Sequence, residues 1–194
     1  MDKLYNSENP FVKFIHIKRM KIIKALVGEN PGRILDCGCG EGHLLEQLSG
    51  IKYGVDLSDV ALKRARERNP AADIRQADLK NLPFSDNFFA VTTCSEVLEH
   101  IPDYKKAIHE LVRVTRCGGK IIISVPNERN WTLGRMAMMR FPIKLEDHIN
   151  SFKYDDLVEA FGFRPKQVIY VPLNLTFQLA MTQIFEFEKP KVDQ

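Results

Sequence analysis

A chain of 194 residues fits one domain, 1–194, and can bury a substantial core. Its 28 Lys and Arg against 25 Asp and Glu leave a formal charge of +3, too small by itself to argue for nucleic-acid binding. No apolar run approaches a membrane span, no N-terminal signal peptide is visible, and four cysteines without a disulfide framework suit a reducing cytosol, so a cytoplasmic protein without a transmembrane segment is expected.

Residues 8–28 interleave Phe11, Phe14, Ile15, Ile17, Ile22, Ile23, Leu26 and Val27 with Lys13, Lys18, Arg19, Lys21 and Lys24. This is the pattern of a helix with an apolar stripe, ended by Gly28 and Pro31. A basic amphipathic helix can lie on a membrane surface, but the preferred reading is a leading cap over 1–30, packed on the sheet and over a cofactor cleft. Ile34-Leu35-Asp36 then reads as a short strand, followed by glycines at alternate positions, Gly38, Gly40 and Gly42, and a helix from about His43. Glycine lets such a turn bend tightly and bring a ligand against bare backbone, at the carboxyl end of a first strand. The dinucleotide fingerprint G-x-G-x-x-G places glycine sixth, where His43 stands, which disfavours a NAD-linked oxidoreductase.

Ile51 to Asp56 predicts a second strand ending in a carboxylate able to accept from two ribose hydroxyls. Ser58 predicts the N-cap of a helix that ends near Asn69-Pro70, and Ile74 to Leu79 a third strand with Asp78 at its end. An Asp after a strand is often only a turn residue, but acids at three consecutive strand ends beside the glycines favour a ligand site. A helix is expected from Tyr104 to Thr115 and another from Asp155 to Phe161, capped by Gly162. Strands at 167–171 and 183–187 close the set. Alternating strands and helices argue for a parallel α/β sheet covered on both faces. Trp131 to Leu145, rich in Met and aromatic residues, falls beyond the fifth strand and is expected, within a 128–150 insertion, to cover an acceptor site; ordinary packing on the sheet edge is the alternative.

The D-x-G-x-G-x-G spacing from Asp36 to Gly42 resembles motif I of the class I S-adenosylmethionine-dependent methyltransferases. Leu82 to Val91 resembles that family's LPFxDxxFDxV segment, with Ala90 in place of the second acid. Leu111 to Asn127 is similar to its LxRVLKPGG turn and fifth strand, with Cys117 replacing the proline. The resemblance covers about residues 30–127 and points to the broad group that includes ubiquinone-pathway and other small-molecule enzymes. It implies a doubly wound, Rossmann-like, mostly parallel sheet of about seven strands whose last strand is antiparallel. It further implies S-adenosylmethionine as cofactor, bound through Asp36, Gly38, Gly40, Gly42, Asp56, Leu57, Asp78, Leu79 and Ser95. Within the family the position of Asp78 faces the adenine amino group and that of Leu79 packs on the ring.

If the segment after the fourth strand is helical, Glu96, Glu99 and His100 stand at i, i+3 and i+4 on one face. Ubiquinone-pathway catechol O-methyltransferases and small-RNA 3′-terminal 2′-O-methyltransferases carry a similar E-x-x-E-H with a downstream His. Mapped here, Glu96, Glu99, His100 and His148 would hold Mg²⁺ or Mn²⁺, lowering the pKa of the attacked hydroxyl. Metal-free relatives carry a similar string, and His148 is equally a candidate general base or a loop anchor. Cys37-x-Cys39 lacks a second cysteine pair at suitable spacing, and a metal is not expected there. The leading expectation is methyl transfer to a small, partly apolar acceptor at oxygen. Methylation of an RNA 3′-terminal ribose competes with it; Arg129, Arg135, Arg140 and Lys144 would line a groove that Glu128, Glu146 and Asp147 dilute. The alternative outside enzymes is a non-catalytic cofactor-binding subunit with an exposed apolar patch at 131–145.

Overall fold

Side chains alternate across the strands, and this divides the core into layers. Seven strands are present: β1 (Arg33–Cys37), β2 (Ile51–Asp56), β3 (Asp73–Gln76), β4 (Phe89–Ser95), β5 (Thr115–Pro126), β6 (Gln167–Val171) and β7 (Thr182–Glu188). Leu35, Ile121, Ile123, Phe185 and Phe187 pack in one layer, while their neighbours Ile34, Ile122 and Ile184 pack in the other. The helices that cover these layers are α1 (Pro10–Val27), α2 (His43–Gln47), α3 (Asp59–Arg68), α4 (Tyr104–Val114), α5 (Glu128–Ala137) and α6 (Tyr154–Phe161). Ile108 and Leu111 of α4, with Leu157 and Phe161 of α6, close the first layer. Ile15, Met20, Ile23 and Val27 of α1 close the second. This computed structural model describes residues 9–137 and 148–191.

The sheet order is β3-β2-β1-β4-β5-β7-β6. β1 through β5 pair in parallel, β7 runs antiparallel to β5, and β6 antiparallel to β7. The chain therefore has the doubly wound sheet with an antiparallel last strand, helices on both faces. The order reverses between β1 and β4, and crevices for ligands open beyond the carboxyl ends of strands at such a switch point. The apolar stripe of α1 does pack on the sheet. Among the described residues no helix is long and apolar enough to cross a membrane.

Several boundaries differ from the sequence reading. β3 ends at Gln76 rather than running to Leu79, because the Asp78 side chain accepts from the Lys80 amide at 2.9 Å and turns the chain. The 95–100 segment is not one α-helical face: Glu96 has φ of 57°, and only Leu98–His100 forms a single 3₁₀ turn. β5 starts at Thr115, earlier than the Gly118-Gly119 turn suggested, because a register shift opposite Phe89 and Val91 absorbs the glycines within the strand. Of the expected acceptor cover, 138–147 lie outside the described residues, and with them Arg140, Lys144, Glu146, Asp147 and also the Arg135 side chain.

Candidate active site

The turn after β1 is a bend built on glycine main chain. Gly38, Gly40 and Gly42 all have positive φ, at 72°, 52° and 77°. The Gly38 and Cys39 amides both donate to the Val55 carbonyl, at 2.8 and 2.9 Å, which ties the bend to the end of β2. A Cβ on Gly38 would lie 2.4 Å from Val97 Cγ2, so the loop after β4 rests directly on that glycine. At Gly42 a Cβ would meet Asn69 Nδ2 at 2.5 Å and Ala65 at 3.2 Å. Asn69 itself donates to the Gly42 carbonyl at 3.0 Å, locking the bend to the end of α3.

The acids at the strand ends fall into different environments. Asp56 accepts from the Gly40 amide through Oδ2 and from the Ser58 amide through Oδ1, each at 2.9 Å. It thus joins the glycine bend to the start of α3, whose N-cap is Ser58 as expected. Asp36 is buried and accepts from the Thr93 hydroxyl at 2.7 Å. Burial pushes its pKa up to about 7, the Thr93 bond opposes this, and the Asp56 charge adds to it. Asp78 is partly exposed beside Lys80 Nζ at 3.5 Å. Of the two leucines expected to bind the cofactor, Leu57 is 63% exposed and Leu79 is buried. Ser95 hydrogen-bonds Ser124 at 2.8 Å. Cys37 and Cys39 are buried free thiols in different layers of the core, and burial holds both pKa values above the ordinary thiol range.

A second group of polar side chains gathers beyond β4 and β5. Arg19, reaching in from α1, places Nη1 3.3 Å from Glu96 Oε2, and both side chains are buried. Ser124 donates to the other oxygen of Glu96 at 3.2 Å. Burial raises the Glu96 pKa, and the Arg19 charge pulls it back. Glu99 is 1% exposed, and neither of its carboxylate oxygens meets a hydrogen-bond partner among the described residues. Burial first, and the Glu96 charge second, push its pKa well up.

Asn150 explains how a residue some fifty positions along the chain joins this group. Its side chain donates to the Leu98 and Ile101 carbonyls, at 3.3 and 2.7 Å, while the Ile149 and Asn150 amides donate to the Glu99 carbonyl. These bonds lay the 148–150 segment along the 3₁₀ turn and bring the His148 ring to 4.7 Å from that of His100, edge to face. Ligand-type atoms of Glu99, His100 and His148 lie within 4.8 Å of one another. Glu96 is not part of that trio, since its carboxylate faces Arg19 and Ser124. His148 Nδ1 sits 2.5 Å from Glu128 Oε1. A cavity of about 430 Å³ opens beside this pair, lined by Glu128, Arg129, Thr132, Leu133, His148, Ile149, Asn150 and Ser151.

Arg19, Glu128, Asn150 and Val97 are the residues that sequence reasoning missed. Asn150 carried a usable signal, a polar residue two beyond His148, but nothing in spacing pairs it with residues 98–101. Glu128 directly follows the Pro126-Asn127 end of β5, a position where side chains reach the carboxyl-end crevice.

The profile of the Methyltransferase domain family matches residues 35–123, from within β1 to within β5. This chain carries a methyltransferase domain and is similar to S-adenosylmethionine-dependent methyltransferases. A probable S-adenosylmethionine-dependent methyltransferase of Mycolicibacterium smegmatis is 30% identical over 141 residues, 71% of this chain and 54% of that protein. A ubiquinone biosynthesis O-methyltransferase of Alkalilimnicola ehrlichii is 38% identical over 114 residues, 55% of this chain and 46% of that protein. The chain thus spans about half the length of these curated relatives. Among solved structures, a possible histamine N-methyltransferase of Thermotoga maritima superposes with a TM-score of 0.74 over 91% of this chain and 90% of that one, at 19% identity, a likeness of fold.

Proposed function

We propose that this methyltransferase family member transfers the methyl group of S-adenosylmethionine to an oxygen of a small, partly apolar acceptor held in the cavity beside His148. The observation that carries this reading is the Glu128–His148 pair at the wall of that cavity, beyond the carboxyl ends of β4 and β5. The cofactor would lie on the bend from Gly38 to Gly42, with its ribose at Asp56, its adenine between Leu57 and the Asp78-Leu79 turn, and Ser95 nearby. Asp36, buried under the bend, would support its shape. The ubiquinone-pathway relative, an O-methyltransferase by name, supports oxygen as the attacked atom.

In that arrangement the acceptor oxygen attacks the methyl carbon in line with the sulfur. The carbon–sulfur bond breaks, its electron pair stays on sulfur, and the proton of the acceptor hydroxyl passes to His148. The sulfonium is already activated, so most of the acceleration comes from alignment and exclusion of water. Glu128 fixes the imidazole by accepting from Nδ1–H, which leaves Nε2 to take the proton, the tautomer a general base requires. A turnover screen with methyl-labelled S-adenosylmethionine over catechols, phenols, carboxylates and RNA ends tests the proposal. Label on a hydroxyl of a small acceptor supports it; label only on RNA, or cofactor binding with no turnover on any acceptor, overturns it.

One observation favours a second reading of the same site. Glu99 is a buried carboxylate whose oxygens meet no hydrogen-bond partner among the described residues, and it lies beside two imidazoles, a donor set suited to a divalent cation. Glu99, His100 and His148 would then hold Mg²⁺ or Mn²⁺, which when bound lowers the pKa of an acceptor hydroxyl. Manganese titration followed by electron paramagnetic resonance decides between the readings: saturable binding lost in Glu99→Gln favours the metal, and no binding favours His148 acting alone.

A further inference from the structure

We propose that the outward face of α1 is a docking surface for an anionic lipid bilayer, a property beyond the methyl-transfer reading and independent of it. Along Pro10–Val27 the helix carries Lys13, Lys18, Arg19, Lys21 and Lys24 and no acidic residue. Arg19 alone turns inward, to Glu96. The apolar stripe that packs on the sheet uses Ile15, Met20, Ile23 and Val27, and this packing accounts for only part of the helix's apolar content. Phe11, Phe14 and Ile17 remain on the opposite face, 42, 51 and 39% exposed. They lie among the lysines: Lys18 Nζ sits 5.8 Å from the centre of the Phe14 ring.

An ordinary solvated helix face mixes acids with bases and gains from i,i+4 pairs between them. Here no ion pair among the described residues engages the outward lysines. A helix that lies in a bilayer interface combines these two features, lysines for the headgroups and aromatic or branched side chains for the acyl boundary. Charge complementarity selects the occupant. A second copy of the chain would present the same row of lysines and be repelled, and a purely polyanionic partner such as RNA would gain nothing from exposed Phe14 and Ile17. An anionic lipid surface satisfies both.

The test is co-sedimentation of the full chain with unilamellar vesicles of phosphatidylcholine alone or mixed with phosphatidylglycerol, alongside a soluble RNA of random sequence. Binding to the anionic vesicles, absent on phosphatidylcholine and weakened by salt, is expected. Each of Lys13→Ala and Lys21→Ala lowers the vesicle partition coefficient roughly fivefold, the effect of one lysine near an anionic surface. The double variant Phe14→Ser/Ile17→Ser, whose side chains lie outside the buried clusters of the described residues, lowers it as well while leaving the thermal midpoint and S-adenosylmethionine binding unchanged. No binding to anionic vesicles overturns the proposal. So does binding insensitive to Phe14→Ser/Ile17→Ser, and so does RNA binding of equal strength that the two lysines control and the apolar residues do not.

Discussion

Removing Arg19 should destabilise the protein by more than any surface substitution, and by an amount that depends on pH. The Arg19 and Glu96 side chains are only 7 and 9% exposed and approach to 3.3 Å. Breaking such a pair from one side leaves a buried charge uncompensated and costs about 3–5 kcal/mol. For a chain of this size that lowers the thermal midpoint by roughly 6–20 °C. The contact itself is imperfect: Arg19 Nε and Nη1 make no hydrogen bond among the described residues, so the attraction is Coulombic. Replacing both partners should therefore recover most of the loss, as when a buried ion pair gives way to well-packed neutral groups. Urea unfolding of Arg19→Met, Glu96→Gln and Arg19→Met/Glu96→Gln measures this as a double-mutant cycle. Glu96 already has a raised pKa from burial, and losing Arg19 raises it further. In Arg19→Met the folded state then holds a proton that the unfolded state gives up above its ordinary carboxylate pKa. The loss is therefore small in acid and grows as pH rises past the wild-type Glu96 pKa, itself above the ordinary carboxylate value. A loss under about 1 kcal/mol at neutral pH, or a double variant no better than Arg19→Met, would show that the pair does not tie α1 to the site.

His148→Ala should leave S-adenosylmethionine affinity intact and lower turnover roughly 100- to 10,000-fold, the range of a general base; calorimetry with turnover assays checks both, and unchanged turnover removes His148 from the mechanism. Gly38→Ala should cost about 2–4 kcal/mol, from the left-handed backbone and the contact with Val97, and Val97→Ala should return the steric part in the double variant. Two buried groups oppose each other in acid. Asp36 titrates near 7 when folded against 3.8 when free, so the folded state binds the extra proton and its contribution to stability falls as pH rises from about 4 to 7. His16, held neutral by burial to about 3 against 6.5, contributes stability that is full above about 6.5 and is lost as pH falls toward 3. Asp36→Asn should therefore make stability rise more steeply between pH 4 and 6.5, and His16→Phe should reverse that slope; parallel curves for the three proteins would contradict both assignments.

The layers of the fold were legible because their cause is local. Continuous apolar runs such as Ile121-Ile122-Ile123 report two covered faces, Ser58 and Gly162 report helix ends, and the glycine spacing reports the bend. The site divided along the same line. Asp56 and the glycines are close in sequence and bonded to one another, and their grouping could be read directly. The proposed acceptor side is assembled by contacts that no periodicity encodes. Arg19 meets Glu96 across the sheet, Glu128 meets His148 at 2.5 Å, and Asn150 stitches its segment to the turn at 98–101. The positive φ at Glu96 defeated the helical pattern that would have aligned it with Glu99 and His100. Charged residues seldom adopt that conformation, and nothing in the neighbouring residue types announces it.

Calorimetry with S-adenosylmethionine and NAD side by side, on the wild-type chain and on Asp56→Asn, addresses the cofactor pocket most directly. S-adenosylmethionine should bind and NAD should not, and Asp56→Asn should weaken the former roughly 10- to 100-fold, as expected when charge-assisted hydrogen bonds to the ribose are lost. Heat from NAD alone, or S-adenosylmethionine affinity indifferent to Asp56, would mean that the bend from Gly38 to Gly42 does not hold this cofactor.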